Sequence, residues 1–497
     1  MEARPIARAA GRSALDPSAD EIRAAGAAAV EWVASYCEAL RELPLYPETS
    51  GAQLHERFAE ALPQEGRPFA ELLAQFRDAI VAGSRHNGHQ RFFGYVSAPG
   101  TAVAALADLL ASTLNSNLTA WRSAPAPVEI ERRTVDWIRE ALGCPAGWGG
   151  LFTSGGSLAN FTALAAARHR HGATINETGM SAALRPLRVY ISTEGHHSTD
   201  KAAALLGIGR ENVVRIPVDR DLRMDVAELA RRIAADRAAG REPFCVVASA
   251  GTVVSGAIDP LAEIAEVARR AGLWLHIDGC YGGFARLAPS VRDRFAGIEL
   301  ADSIALDPHK WLYLPADCGC LLYREPDAVG AAFALGADYT RIAQTDAREA
   351  FAFWDYGPEL SRRFRALKVW MTLAHVGARA FGEAIEANLD CARHLAELVG
   401  ESDDFEMLAP VELSIFCFRH LGPGGRKAGS RSAAAERELD AWNERLLYAL
   451  QHGASSYLSN ATIGDRFALR GCVLNYRTTR DDMRILLDDL RREAAAL

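Results

Sequence analysis

Residues 245–278 read CVVASAGTVVSGAIDPLAEIAEVARRAGLWLHID. Two short β-rich runs, Cys245–Ala250 and Leu273–Asp278, flank Leu261–Gly272, a helix pattern that ends in a glycine stop. That is a βαβ unit, and its two strands are expected side by side and parallel. Further β-rich runs at Val189–Ser192 and Ser303–Leu306 extend the alternation from about Val96 to Leu373. The prediction is an α/β domain, a mostly parallel sheet with helices on both faces. Ligands on such sheets lie beyond the carboxyl ends of the strands.

The flanks read differently. Up to about Tyr95 the chain is helical: Ser18 and Glu21 form a capping-box pattern, and Ile22, Ala29, Val33, Tyr36 and Leu40 follow at near-helical spacing. Two more amphipathic stretches follow, broken at Pro63 and Pro68. This segment cannot make a compact core alone and is expected to lie on another surface. From about Ala374 an Ala-rich helix, strand-like runs at Glu412–Arg419 and Phe467–Tyr476, and a last helix from Arg480 suggest a smaller α+β domain. The expected division is therefore 1–95, 96–373 and 374–497, with a surface loop at 422–432.

Composition narrows the function classes. The 497 residues are 49% hydrophobic, enough for a large core, and carry a net charge of −8. No apolar run reaches the roughly 20 residues of a membrane span, and Met1–Glu21 has no signal-peptide core, so a soluble, cytoplasmic protein is expected. No long basic run recommends nucleic acid or an anionic membrane as partner. The nine cysteines are scattered without a CxxC pair, which suits reduced structural thiols and no metal site; Cys318 and Cys320 are expected to share a strand face. Of the 55 basic residues only four are lysine: Lys201, Lys310, Lys368 and Lys427. Arginine stays protonated and cannot form a Schiff base, so each lysine retained against this background is a candidate for lysine chemistry. Lys427, in a Gly-rich stretch, reads as solvated.

Four groups of residues fall at predicted strand ends. Thr153-Ser154-Gly155-Gly156-Ser157 follows an apolar run and opens a helix, a pattern that can cradle an anion with backbone N–H groups. Asp278 ends the strand Leu273–Asp278; alone it would read as a helix cap. Lys310 follows Ser303–Leu306; alone it would be a surface lysine. His196 and His197 follow Val189–Ser192, and one of them is expected to line a site. Pyridoxal phosphate (PLP) asks for these four things together: a cradle for its phosphate, a carboxylate for its pyridine nitrogen, a lysine for its aldehyde and a flat group over its ring.

These residues resemble the group II PLP-dependent decarboxylases, the family of aromatic amino acid, glutamate, histidine and diaminobutyrate decarboxylases. The likeness runs from about Leu15 to the C-terminus. Its most specific pieces are Asp307-Pro308-His309-Lys310-Trp311, His276-Ile277-Asp278 with Tyr281-Gly282-Gly283, and Arg362-Arg363-Phe364-Arg365-Ala366-Leu367-Lys368-Val369-Trp370. Arg91-Phe92-Phe93-Gly94-Tyr95 and Asn475-Tyr476-Arg477-Thr478-Thr479 are also similar. The resemblance implies fold type I, the aspartate aminotransferase-like architecture. It implies Lys310 as the Schiff-base lysine, Asp278 as partner of the pyridine nitrogen and His197 over the ring. Gly156, Ser157, Asp307 and His309 would hold the phosphate and its surroundings, with Thr252 near the cofactor and Tyr95 and Trp121 near the substrate. It also implies a homodimer, with the N-terminal helices on the partner and active sites at the subunit interface.

The chain departs from the family pattern at Val253, where a second threonine is usual, at Leu158 for Glu, and at Gly279-Cys280 for Ala-Ala. Asn117 and Thr119 replace apolar or aromatic pocket residues, which predicts a more polar substrate pocket. The stretch Tyr339–Tyr356 resembles the family's mobile active-site loop. An ungapped count back from Arg362 puts Phe353 where many members carry the tyrosine that returns a proton to Cα; a single gap would bring Tyr356 nearer, and His197 is an alternative donor. Phenylalanine there goes with aldehyde synthesis in plant relatives. The expected reaction is decarboxylation of an L-amino acid, aromatic by resemblance, to an amine and CO2. Oxidative conversion to an aldehyde, decarboxylation of glutamate or diaminobutyrate, and a non-catalytic binding relative are the alternatives. Transaminases and cysteine desulfurases lack the Asp-Pro-His-Lys-Trp and Arg-Arg-Phe-Arg pieces.

Overall fold

The computed structural model of the protein describes residues 13, 15–172, 174–334, 348–425, 431–453 and 455–497. Its centre is a seven-stranded sheet of β1 (Gly149–Thr153), β2 (Leu187–Ser192), β3 (Val213–Ile216), β4 (Glu242–Ser249), β5 (Trp274–Asp278), β6 (Ser303–Leu306) and β7 (Gly319–Tyr323), in the order β1-β7-β6-β5-β4-β2-β3. β2 through β6 pair in parallel, and β7 runs antiparallel between β6 and β1. The strands read as continuous apolar runs because helices cover both faces: every residue of β2 and β5 is buried. The quoted unit forms as expected. Helix Leu261–Ala271 buries Leu261, Ile264, Ala265 and Ala268, and Gly272 ends it with φ +63°, a conformation that favours glycine.

Parallel pairing brings the ends of β2, β4, β5 and β6 to one edge of the sheet. The turn after β1 joins them there, because β1 runs the same way as they do. The cradle sequence therefore meets Asp278 and Lys310 although the three are far apart in the chain.

The C-terminal part builds a second sheet, with β8 (Phe405–Met407), β9 (Ile415–His420), β10 (Ser459–Ile463) and β11 (Arg466–Cys472) in the order β10-β11-β9-β8. Helix Ala366–Glu401 connects the two parts and is broken at Gly377, where φ is +78°. The first 95 residues are not a free-standing unit. Residues 88–93 are stitched into the C-terminal part: Phe93 N–H donates to Tyr457 O at 2.9 Å, Tyr457 N–H to Arg91 O at 3.1 Å and Cys472 N–H to Phe93 O at 2.9 Å. The Asn475 and Thr478 side chains donate to the carbonyls of Gly88, His89 and Gln90. Phe93 accordingly belongs to the core of the smaller sheet. By contrast the helix Ala19–Ala39 buries none of its residues in this chain.

Candidate active site

The carboxyl ends of β4, β5 and β6 and the turn after β1 enclose a cavity of about 370 Å³. Its lining includes Gly156, Ser157, Thr252, Asp278, Asp307, His309 and Lys310. The cradle is a turn followed by the helix Gly156–His171, whose free N–H groups open towards the cavity. Gly156 cannot carry a side chain: a Cβ there would lie 2.2 Å from Cys280 Sγ and 3.0 Å from Asp307 Oδ2.

Asp278 is fixed by a directed chain of buried hydrogen bonds. The Asn160 amide oxygen can only accept, so neutral His276 carries its hydrogen on Nε2 and donates to Asn160 Oδ1 at 2.8 Å. Its Nδ1 then accepts from the Ser303 hydroxyl at 2.8 Å, whose Oγ accepts from the Trp274 indole N–H, also at 2.8 Å. The Asn160 amide then donates to Asp278 Oδ2 at 3.0 Å, while Cys280 N–H donates to Oδ1 at 3.1 Å. Burial pushes His276 down to about 4, so the ring is neutral and the direction of the chain is set. Burial also opposes the charge on Asp278. Hydrogen bonding at Cys280 and the neighbouring His196, His276 and Lys310 overcome it, and the carboxyl is held below its usual range. The result is an ionised carboxylate at a strand end with two donors already aimed at it.

Lys310 sits on the turn Pro308–Trp311 after β6, its Nζ 2.9 Å from Asp307 Oδ2. Burial would favour the free amine, but Asp307 outweighs it, with help from Cys280 and Asp278, and the ammonium form is strongly favoured. The other oxygen of Asp307 is buried without a hydrogen-bond partner. His309 Nδ1 lies 2.7 Å from the Cys318 carbonyl oxygen. Thr252 is buried, its hydroxyl 3.0 Å from Ser255 Oγ and accepting from Ala257 N–H. Val253 and Cys280, two of the departures from the family pattern, also line the cavity.

The histidine over the cavity is His196, which corrects the expectation of His197. The His197 side chain is 85% exposed in this chain and is drawn outward to Asp200, 3.0 Å away, and Arg215. His196 lines the cavity, and its Nδ1 accepts from Ser198 N–H at 3.2 Å, which places the hydrogen of the neutral ring on Nε2. Burial lowers its pKa and keeps it neutral. Ser198 Oγ also accepts from Asn160, tying the histidine to the Asp278 chain.

The remaining expectations fare differently. Phe353 is fully buried, with the Arg362 guanidinium 4.2 Å from its ring centroid, and does not line the cavity. The Arg362 side chain is locked to Glu131, Leu118 O and Phe152 O, which fixes Phe353 in the core rather than on a loop over the site. Residues 335–347 of the expected loop, including Tyr339, lie outside the described residues, as does Lys427. Asn117, Thr119 and Trp121 are not among the lining residues. Asn117 Oδ1 accepts from Arg362 N–H at 2.9 Å, the Thr119 hydroxyl donates to Leu360 O, and the Trp121 indole donates to Glu129. Tyr95 is half exposed, also outside the lining, with its carbonyl accepting from Arg470. Lys368, one of the four lysines, is buried against Asp108 at 3.0 Å and is structural here. Sequence reasoning assigned no role to Asn160, Ser303 or His276. A signal existed for two of them: Asn160 is one helical turn beyond Gly156, and His276 is two residues before Asp278 on the same strand face.

The conserved domain of the pyridoxal-dependent decarboxylases matches residues 52–421. The chain belongs to this family. Among its relatives is an aromatic-L-amino-acid decarboxylase of Bacillus atrophaeus, 34% identical over 469 residues that cover 94% of each chain. A 4-hydroxyphenylacetaldehyde synthase of Rhodiola rosea is 30% identical, covering 91% of this chain and 90% of the relative. The crystal structure of Oryza sativa TDC with PLP and tryptamine superposes with a TM-score of 0.89 at 28% identity, covering 98% of this chain and 99% of that one. The decarboxylase is thus a fold type I enzyme whose cofactor is PLP. The cavity suits that cofactor on its own evidence: a cradle that tolerates no Cβ, a buried amine, an ionised carboxylate held from behind and a flat neutral ring meet in one space.

Proposed function

We propose that this decarboxylase converts an aromatic L-amino acid to its amine and CO2, with Lys310 binding the aldehyde of PLP. The observation that carries the reading is the meeting of Lys310, Asp278 and His196 in one cavity. When bound, the cofactor supplies an electron sink for the pair left at Cα as CO2 departs. The residues do the rest. Asp278, kept ionised by Asn160 and Cys280, holds a proton on the pyridine nitrogen and so keeps the sink electron-poor. The open helix N-terminus at Gly156 and Ser157 receives the phosphate, with His309 beside it. Asp307 Oδ2 pairs with the Lys310 amine and holds it in the cavity. His196, a neutral flat ring lining the same cavity, would be the group over the cofactor ring.

The aromatic substrate class is supported by the relatives. The polar pocket once expected from Asn117 and Thr119 has less support, since the Asn117 carbonyl and the Thr119 hydroxyl are engaged with backbone. We infer that Asn117, Thr119 and Trp121 contribute across a subunit interface in a cytoplasmic homodimer. Support comes from the unburied helix Ala19–Ala39 and from Leu106, Leu109, Leu110 and Leu114, all exposed along one helix. Sedimentation of the purified protein tests the dimer. The nine free cysteines, eight of them buried, suit a reducing compartment. Aldehyde formation stays a second product class because of the Rhodiola relative, but it no longer draws support from Phe353.

The deciding experiment incubates the PLP-loaded enzyme with a panel of L-amino acids and measures amine, aldehyde, CO2 and peroxide together. Activity confined to glutamate or diaminobutyrate refutes the aromatic reading. Borohydride treatment should fix PLP on Lys310; label on Lys201 or Lys368 refutes the lysine assignment.

A further inference from the structure

We propose that a second cavity, at the amino edge of the large sheet, binds a small aromatic carboxylate, and that its occupant weakens PLP binding through Trp274. The site stands on its own geometry; only the coupling rests on the reading of the first cavity as the PLP site. The second cavity measures about 560 Å³, larger than the one at the carboxyl edge and within the roughly 300–1,000 Å³ usual for small-molecule sites. β4 and β5 begin here and Asp302 precedes β6, while β7, running the other way, ends here with Arg324 after it. The helix Gly156–His171, whose first turn faces the cofactor cavity, delivers Arg170 and His171 with its last turn. Ala265 and Ala268 of the helix Leu261–Ala271 leave the space, and Phe244, Leu273, Trp274 and Leu300 complete an apolar wall. Such a wall accepts a flat apolar body.

The polar groups select the charge. Three guanidiniums, of Arg170, Arg269 and Arg324, face two carboxylates, Glu266 and Asp302, so the count favours an anion. Arg324 is fixed on the carbonyls of Ala301 and Glu299, and Arg269 is forked onto Glu266 with both bonds at 2.9 Å. Arg170 is held less closely. Its pairs with Asp302 and Glu325 are both 3.6 Å, longer than a hydrogen bond, and its side chain is about half exposed. Its planar fork can therefore turn onto an arriving carboxylate.

The coupling begins at the same arginine. Arg170 Cζ lies 5.6 Å from the centroid of the Trp274 ring. A cation over the ring face draws on its electrons and makes the indole N–H a stronger donor. That N–H, bonded to Ser303 Oγ, heads the chain through His276 and Asn160 to Asp278. Bonds in such a chain reinforce one another. A carboxylate that draws Arg170 off the ring weakens the first of them, and the donors behind Asp278 weaken with it. The anion and PLP therefore oppose each other.

The test uses the full-length chain, stripped of PLP or loaded with it, and phenylacetate as probe. Equilibrium dialysis should show saturable binding to both forms. Phenylacetamide, the same body without the charge, should bind far more weakly. Arg170→Gln should raise the phenylacetate Kd roughly 10- to 100-fold. Leu300→Asp, which puts a negative charge on the apolar wall, should abolish binding; both side chains are about half exposed, so the fold should tolerate the changes. Saturating phenylacetate should raise the Kd of PLP severalfold, and PLP should raise that of phenylacetate by the same factor. Trp274→Phe keeps an aromatic wall without the N–H, so it should bind phenylacetate and lose the antagonism. Absence of binding, or binding that neither Arg170→Gln nor Leu300→Asp weakens, overturns the site. Equal PLP affinity with and without phenylacetate overturns the coupling. So does antagonism that survives undiminished in Arg170→Gln, which is competition inside the cofactor cavity. A chain that binds phenylacetate but not PLP overturns the cofactor reading instead, a separate outcome.

Discussion

Gly156→Ala places a methyl group where the structure has no room. The new Cβ would lie 2.2 Å from Cys280 Sγ, against roughly 3.5–4.0 Å for an ordinary heavy-atom contact, so a gap of over an ångström must open. Cys280 is buried after β5 and Asp307 Oδ2, at 3.0 Å, is held by Lys310, so neither can retreat freely. Overpacking of this kind costs about 1–3 kcal/mol. Both residues line the cavity, so the displacement falls on the cofactor site as well as on the fold. PLP affinity should drop roughly 5- to 150-fold, and thermal stabilisation by added PLP should shrink with it. The assays are a fluorescence titration of PLP into the stripped enzyme and thermal unfolding with and without PLP. Removing the sulfur in Gly156→Ala/Cys280→Ala should restore most of the loss, a coupling between neighbours that a double-mutant cycle isolates. A single variant with wild-type affinity and melting temperature, or a double variant no better than the single, would refute the reasoning.

Other outcomes follow from the same geometry. Asp278→Asn should still bind PLP but lose several kcal/mol of barrier lowering, on the order of a 10²–10³-fold fall in kcat, read in single-turnover decarboxylation. His276 and His89 are both pushed down to about 4, chiefly by burial, against about 6.5 unfolded. The unfolded chain therefore binds protons first as pH falls. Stability present above 6.5 is lost between 6.5 and 4, by about 3 kcal/mol per histidine, and His276→Gln should remove about half of that slope in urea midpoints at pH 7 and 4.5. Phe353→Tyr should bury an unpartnered hydroxyl, cost about 1–3 kcal/mol of stability, and leave peroxide per CO2 unchanged under air. Arg362→Met leaves Glu131 charged and buried, and should cost about 3–5 kcal/mol, seen as a lower denaturation midpoint.

The sheet was legible because parallel strands covered on both sides must be apolar throughout, and the runs at β2, β4, β5 and β6 say so. β7 was not, since nothing in Gly319–Tyr323 marks the one strand that runs the other way. Within the site, the residues legible in sequence were those tied to a strand end: Asp278 and Lys310 could be placed because β5 and β6 end there. The adjacent pair His196 and His197 could not be separated from local sequence. Asp200 and Arg215, one of them on another strand, pull His197 outward and leave His196 over the cavity. Phe353 was misplaced for a similar reason. Its position depends on Arg362 and on Glu131, more than 200 residues earlier, and an ungapped count carries no information about such a contact.

The seam between residues 88–93 and the C-terminal sheet sets a timetable. The partners of Arg91 and Phe93 across the seam, Tyr457 and Cys472, are made about 365–380 residues later, which at roughly 5–20 residues per second is about 20–75 s of synthesis. During that interval the segment that carries the first helices has no C-terminal sheet to anchor it. Docking of residues 88–93 can therefore be completed only after β11 has left the ribosome.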